Sequence, residues 1–297
     1  MRFRNGLSIT ALAAAGLIVL SGCVDSSAPT TDPTDDAPVE FEAVPFEDGT
    51  TMAALAEAGS ITIGTKFDQP LFGLVGPDGT PEGFDVEMGL IIAKHLGIDP
   101  ANVEWIQTVS SNREPFITAG TVDIVIATYT INDARKEIVS FAGPYYEAGQ
   151  DILVPAGNPN GIDGPEWFAD NPDATVCTVS GSTSLENISE YTDNILEAAG
   201  YGDCLEPIRT GAAVALTTDN VILSGLAFNN EGEFELVNAP FTEEPYGIGL
   251  ALDDDAFRAW INDVLEASYE NGDWAAAWDN TVGALLDRPE PPAVDRY

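Results

Sequence analysis

Positive charge is scarce in this chain. Lysine and arginine together number 11 in 297 residues, against 49 aspartates and glutamates, for a formal charge of -38 at pH 7. Such a surface repels nucleic acid and anionic headgroups at long range, so polyanion binding is excluded. Histidine occurs once and cysteine three times, widely spaced, which removes the histidine-rich and paired-cysteine patterns of metal sites. The one histidine, His95, lies beside Lys94 late in a helical pattern, where surface or packing roles fit better than proton transfer. Neither G-x-S-x-G nor G-x-G-x-x-G occurs, and no cofactor motif is legible. What is present is a hydrophobic fraction of 44% with 20% charged residues, enough for a buried core and about two domains.

Arg2 and Arg4 precede an apolar run over residues 7–20 that ends in Leu20-Ser21-Gly22-Cys23. This is the order of a signal peptide, and the run is too short to span a membrane as a mature helix. Leu-Ser-Gly-Cys resembles the lipobox of bacterial lipoproteins, which implies cleavage after residue 22 and a lipid-modified, palmitoylated Cys23 on the outer face of the cell membrane. The alternative is an ordinary secretory signal with Cys23 incidental. Residues 23–50 are rich in Asp, Pro, Thr and Ser and read as a flexible tether. In an exported chain the remaining pair, Cys177 and Cys204, is expected to form a disulfide.

From residue 51 onward short β-rich runs alternate with helical patterns. Residues 61–65 read as a strand, and 85–96 as a helix with Asp85 as N-cap and Gly97 as stop. Strand 103–108, helix 112–119, strand 122–127 and helix 132–139 follow, which makes an α/β lobe with a largely parallel sheet. A second set follows, with strand 174–179, helix 185–199, strand 212–216 and helix 220–228. The extended stretches 145–154 and 241–250 are candidate crossovers between two lobes, and a chain that passes out and back creates a cleft. Residues 253–286 read as amphipathic helix, with Trp260, Trp274 and Trp278 packed on the first lobe, and 288–297 as a loose Pro-rich end.

In so acidic a chain, a cation at a strand end calls for an explanation. Lys66 follows the first strand, Arg113 opens the short helix and Arg135 lies beyond the most apolar strand. Ligands collect outside the carboxyl ends of strands in open α/β sheets, so all three can face one crevice. Solvated charges or local ion pairs are the bland alternative for each, and Lys94, Lys136, Arg209 and Arg258 are left to it. Asp219 at a strand-to-helix junction is either an N-cap or an anion directed into the cleft. The turn Ser180-Gly181-Ser182-Thr183-Ser184 can present backbone N–H groups to a carboxylate, or be a tight turn with a cap.

These residues carry a resemblance. Gly83-Phe84-Asp85-Val86-Glu87-Met88, Gly120-Thr121-Val122-Asp123, Ala127-Thr128-Tyr129-Thr130-Ile131, Arg135-Lys136 and Phe141-Ala142-Gly143-Pro144-Tyr145-Tyr146 resemble the polar amino-acid family (family 3) of extracellular solute-binding proteins, the receptors of ABC importers. The likeness spans roughly residues 51 to 280 and implies a periplasmic-binding-protein-like fold: two α/β lobes joined by a two-stranded hinge, with the ligand cleft between them. Lobe 1 is then 51–146 with 247–297, and lobe 2 is 147–246.

By the same resemblance, Arg135 takes the α-carboxylate of an amino acid, Thr130 and the turn with Ser182 and Thr183 add hydrogen bonds, and Asp219 takes the α-ammonium. Lys66 and Arg113 would hold a distal carboxylate, Thr128 would line the site, and Phe67 and Tyr129 would flank the ligand's methylenes. The stretch Gly64-Thr65-Lys66-Phe67-Asp68-Gln69-Pro70 is similar to the start of glutamate-binding proteins of Gram-positive importers, which favours glutamate, with aspartate and glutamine as alternatives. The implied partners are that small ligand, a membrane permease and the membrane itself through the lipid anchor. An enzyme on the same scaffold is the competing class, since fold does not dictate function. A sensory ectodomain would call for a second membrane segment, and the sequence shows none.

Overall fold

The alternation of strands and helices produces two five-stranded sheets in the computed structural model, which describes residues 45–297. The signal segment, Cys23 and most of the expected tether lie outside the described residues. In the first sheet Ile61–Thr65 pairs in parallel with Val103–Gln107 and Ile124–Val125, while Glu244–Leu250 runs antiparallel to Ile124–Val125 and to Ser140–Ala148. The second sheet repeats the plan. Val176–Val179 pairs in parallel with Ile195–Ala198 and Ala215–Asp219, and Gln150–Pro155 runs antiparallel to Ala215–Asp219 and Phe234–Leu236.

The chain crosses between these sheets twice. Ser140–Ala148 continues through Gly149 into Gln150–Pro155, and the return path leads from Phe234–Leu236 into Glu244–Leu250. The two passages are paired where they meet, Glu244 opposite Ala148 and Tyr246 opposite Tyr146. They form a two-stranded hinge between two α/β lobes. Trp274 and Trp278, on the helix Asp273–Asn280, brace it: Trp274 Nε1 donates to the Tyr145 carbonyl at 2.9 Å, and Trp278 stacks on Tyr146 at 5.0 Å between ring centroids. Trp260 is only half-buried and packs against Phe257 and Phe46.

Several local expectations are corrected. The first long helix is Phe84–His95 and begins one residue early, on Gly83, whose φ of 133° favours glycine and where a methyl group would come within 2.4 Å of the Phe72 carbonyl. Asp85 is therefore not an N-cap. It sits in the first turn facing inward, where its buried carboxylate accepts the Thr128 N–H at 2.7 Å and the Tyr145 hydroxyl at 2.6 Å. The helix expected over 185–199 is a short helix, Thr183–Ile188, and then an edge strand, Ile195–Ala198, because Ser189, Thr192, Asp193 and Asn194 favour turns over continued helix. The strand expected over 122–127 pairs only at Ile124–Val125. The C-terminal end is fastened rather than loose. The Phe141 N–H donates to the Tyr297 hydroxyl oxygen, the Asp295 N–H to the Gly143 carbonyl, and Arg296 pairs with Asp263 and Glu266. Cys177 and Cys204 form the expected disulfide, with Cα atoms 5.6 Å apart.

Candidate functional site

Of the nine described cations, six form surface ion pairs: Lys94, Lys136, Arg209, Arg258, Arg288 and Arg296. The other three are Lys66, Arg113 and Arg135, at 4%, 3% and 6% exposure. Buried cations need partners, and these find theirs where the two lobes touch.

Lys66 leaves the end of Ile61–Thr65, and its Nζ donates to Ser110 Oγ at 2.8 Å. Burial first, and Arg113 second, lower its pKa to about 7. Arg113 opens the helix Arg113–Thr118. Its Nε donates to the Ser110 carbonyl, NH1 to the Ala127 and Thr128 carbonyls, and NH2 at 3.4 Å to the Gly181 carbonyl of the other lobe. Burial, then Arg135, lowers its pKa to about 10. Arg135, on the short helix Asp133–Lys136, donates NH1 to the Thr130 carbonyl at 2.8 Å and NH2 to the same Gly181 carbonyl at 3.4 Å, with Nε 3.2 Å from Glu114 Oε1. A guanidinium has five N–H donors, so Arg135 keeps one on each terminal nitrogen, whereas Arg113 is nearly saturated by backbone oxygen.

Tyr129 does not flank an opening. It is fully buried in the lobe-1 core against Phe141, and both guanidiniums lie over its ring, Arg113 at 4.3 Å and Arg135 at 5.1 Å. It is a cation–π platform that steadies the arginines from behind. Thr128 takes a left-handed φ of 44°, held by the bond from its N–H to Asp85, and its hydroxyl lies 2.8 Å from the Ala127 carbonyl and 3.0 Å from Gln69 Oε1, with one proton to share between them. Phe67 is half-buried next to Lys66.

The second lobe faces this cluster with the turn around Gly181 and with Asp219. Ser182 is an N-cap: its hydroxyl accepts the Leu185 N–H and donates to the Val179 carbonyl, so its side chain is already occupied. Thr183 reaches both ways. Its Oγ1 lies 3.4 Å from Thr130 Oγ1 on lobe 1 and donates to Glu244 Oε2 at 2.9 Å. Asp219 ends the strand Ala215–Asp219 at 4% exposure and makes no cap bond to the helix that follows it. Its Oδ2 accepts the Tyr246 hydroxyl at 2.6 Å, and its buried Oδ1 has no partner among the described residues. Burial and then Glu244 raise its pKa to about 7, while Arg113 and Arg135 act in the opposite direction.

Sequence reasoning passed over Ser110, Gln69, Glu114, Tyr246 and Glu244. Gln69 Nε2, like Asp219 Oδ1, is a buried polar atom with no partner in the described chain. Glu244 gave no signal because it is one acid among 49. The arrangement as a whole offers donors for a carboxylate on one lobe, an acceptor for an ammonium on the other, and contacts that form only when the lobes meet.

Comparison with known proteins agrees with this geometry. The model of the bacterial extracellular solute-binding proteins, family 3, matches residues 61–282. The glutamate-binding protein GluB of Corynebacterium efficiens is 38% identical over 249 residues, 80% of this chain and 83% of that protein. The ABC transporter glutamine-binding protein GlnH of Bacillus subtilis is 36% identical over 225 residues, 75% of this chain and 81% of its own length. Among solved structures, a solute receptor for L-cysteine from Neisseria gonorrhoeae superposes with a TM-score of 0.74 at 28% identity, covering 82% of this chain and 99% of that one. The two lobes and their hinge are thus those of the periplasmic amino-acid-binding proteins, and with a family match over most of its described length the chain belongs to the bacterial extracellular solute-binding proteins, family 3.

Proposed function

We propose that this protein captures L-glutamate between its lobes and delivers it to the permease of an ABC importer, without chemical conversion. The observation that carries the reading is the opposition of Arg135 on lobe 1 to Asp219 on lobe 2. Each is more than nine-tenths buried and within electrostatic reach of the other, and each has unspent hydrogen-bonding capacity. A zwitterion joins them: its α-carboxylate on the Arg135 fork with Thr130 and Thr183 beside it, its α-ammonium on Asp219 Oδ1. Each such charge-assisted bond contributes about 1.5 to 3 kcal/mol, and the part made only on closure drives the shift to the closed form.

Lys66 supplies the preference for an acidic side chain, helped by the remaining Arg113 N–H, with Thr128 and Phe67 lining the space around it. The similarity to GluB supports glutamate, and the similarity to GlnH keeps glutamine as the nearest alternative. In this reading lobe 1 comprises 51–146 with 247–297, lobe 2 comprises 147–246, and Cys23 carries the lipid that holds the receptor at the outer face of the membrane. Calorimetric titration of the purified chain with glutamate, aspartate, glutamine and arginine tests it. Tightest binding of glutamate is expected, and heat with none of the four would overturn amino-acid capture.

A further inference from the structure

The capture geometry uses one buried carboxylate of the second lobe, Asp219, yet a second, Glu244, acts on it electrostatically. Glu244 is 2% exposed and lies on the hinge strand Glu244–Leu250, two residues before Tyr246, so the two side chains share a face of that strand. Tyr246 is the residue that holds Asp219. The two acids are therefore served from one edge of the hinge, and their surroundings differ sharply.

Three donors converge on Glu244: Thr183 Oγ1 at 2.9 Å, Asn187 Nδ2 at 3.0 Å and Thr242 Oγ1 at 2.8 Å. Asp219 receives one donor, the Tyr246 hydroxyl, and its other oxygen receives none from the described chain. Two neighbouring carboxylates in a dry site do not both ionise without cost, and the charge settles where the donors are. Glu244 is held by three donors and Asp219 by one, and burial together with Glu244 raises the Asp219 pKa to about 7. The other charged or titratable groups facing Asp219 are Arg113 and Arg135 from their two helices, Tyr146 from Ser140–Ala148 and Tyr201 from the turn Tyr201–Cys204. The arginines favour its ionised form, and Glu244 opposes them.

We propose that Glu244 is a positioning residue that keeps a proton on Asp219 until an amino group takes its place, so that capture of an amino acid expels a proton from the cleft. This rests on the reading of Asp219 as the ammonium-binding acid. The balance is simple: the O–H bond of the Asp219 carboxyl breaks, its proton leaves to solvent, and the ligand, already an ammonium, pairs with the carboxylate left behind. Glu244 does this from the hinge while its bond to Thr183 fixes the hydroxyl that touches Thr130 across the lobes, so closure and proton exchange are tied to the same side chain. An amino-acid receptor so built holds its ligand less firmly in an acidic medium.

The test is calorimetry of the full chain with glutamate at pH 6 in two buffers of different ionisation heat, with affinity followed between pH 5 and 8. At pH 6 Lys66, with a pKa lowered to about 7, keeps most of its proton, and Asp85, which burial also raises to about 7, is told apart from Asp219 by Glu244→Gln, because Glu244 acts on Asp219 and not on Asp85. Wild type is expected to release about one proton per glutamate and to lose affinity about tenfold per pH unit on the acid side of neutrality. Glu244→Gln is expected to release fewer protons and to move the acid limb to lower pH, and Glu244→Asp to restore both. Binding by wild type without proton release overturns the proposal even if the variants do not fold. Unchanged release in Glu244→Gln overturns it as well while leaving amino-acid capture intact. Failure of glutamate, glutamine and aspartate to bind at any pH removes the underlying reading together with this one.

Discussion

Arg113 and Arg135 carry the same group but are occupied differently. Arg135 retains one N–H donor on each terminal nitrogen, so in the proposed binding mode Arg135→Ala removes a grip made with every amino acid and is expected to weaken all of them at least about a hundredfold, the equivalent of losing two charge-assisted bonds. Calorimetry across the four amino acids checks this, and selective loss of one ligand would contradict it. Arg113 ties down the carbonyls of Ser110, Ala127 and Thr128, so its removal disturbs the lobe as well as the ligand. Lys66 is the cleaner probe of side-chain choice. With its pKa lowered to about 7, it is charged below neutrality and loses its proton as pH rises. The preference for glutamate over glutamine should therefore fall between pH 7 and 9 and be absent at every pH in Lys66→Met; competition binding at several pH values measures both. The cations of the site were legible because cations are rare here, and each buried one stood out. Among the acids only Asp219 was singled out, by its strand-to-helix junction; Glu244, Glu114 and Asp85 are hidden among 49, and nothing local in the sequence separates a hinge-borne carboxylate from a solvated one.

At the scale of elements, the first lobe was legible through apolar strands and glycine stops, which report local rules. The second lobe was less so. Residues 185–199 have helix-like apolar spacing, but the half-exposed edge strand Ile195–Ala198 is defined by pairing with Val176–Val179, a contact that no window of sequence contains. The fastened C-terminal end was missed for the same reason, because its partners Phe141, Asp263 and Glu266 are remote in the chain. The turn before the helix Thr183–Ile188 sets how closely the lobes approach: Gly181 has a φ of 73°, and a methyl there would stand 2.8 Å from the Ser111 Cα. Gly181→Ala should leave each lobe folded yet reduce affinity at least about tenfold by holding the lobes apart, with small-angle scattering showing a larger radius in saturating glutamate. The Cys177–Cys204 bridge closes a separation of 27 residues and pins the turn Tyr201–Cys204 beneath the cleft. Reducing it should cost about 3 to 4 kcal/mol in the chain-entropy model and lower the melting temperature by roughly 10 °C, read by calorimetry with and without reductant.

The whole molecule carries a field that its own ligand must oppose. With 11 cations, at most 11 of the 49 negative charges are balanced, so self-repulsion outweighs the exposed ion pairs, each worth about 0 to 1 kcal/mol at best. Salt shortens the reach of that repulsion from about 30 Å at 0.01 M to about 10 Å at 0.1 M, while the buried contacts of Lys66, Arg113 and Arg135 lie beyond its screening. Both the melting temperature of the unliganded chain and its association rate with glutamate, an anion, should therefore rise as sodium chloride increases from 0.01 M to a few tenths molar. Glutamine, which carries no net charge, should show the first effect in the protein but little of the second in its own binding. Stopped-flow association of the two ligands across the salt series separates them. A glutamate rate that falls with salt would mean that the local cations govern approach, and that the acidic surface is electrostatically silent at the cleft mouth.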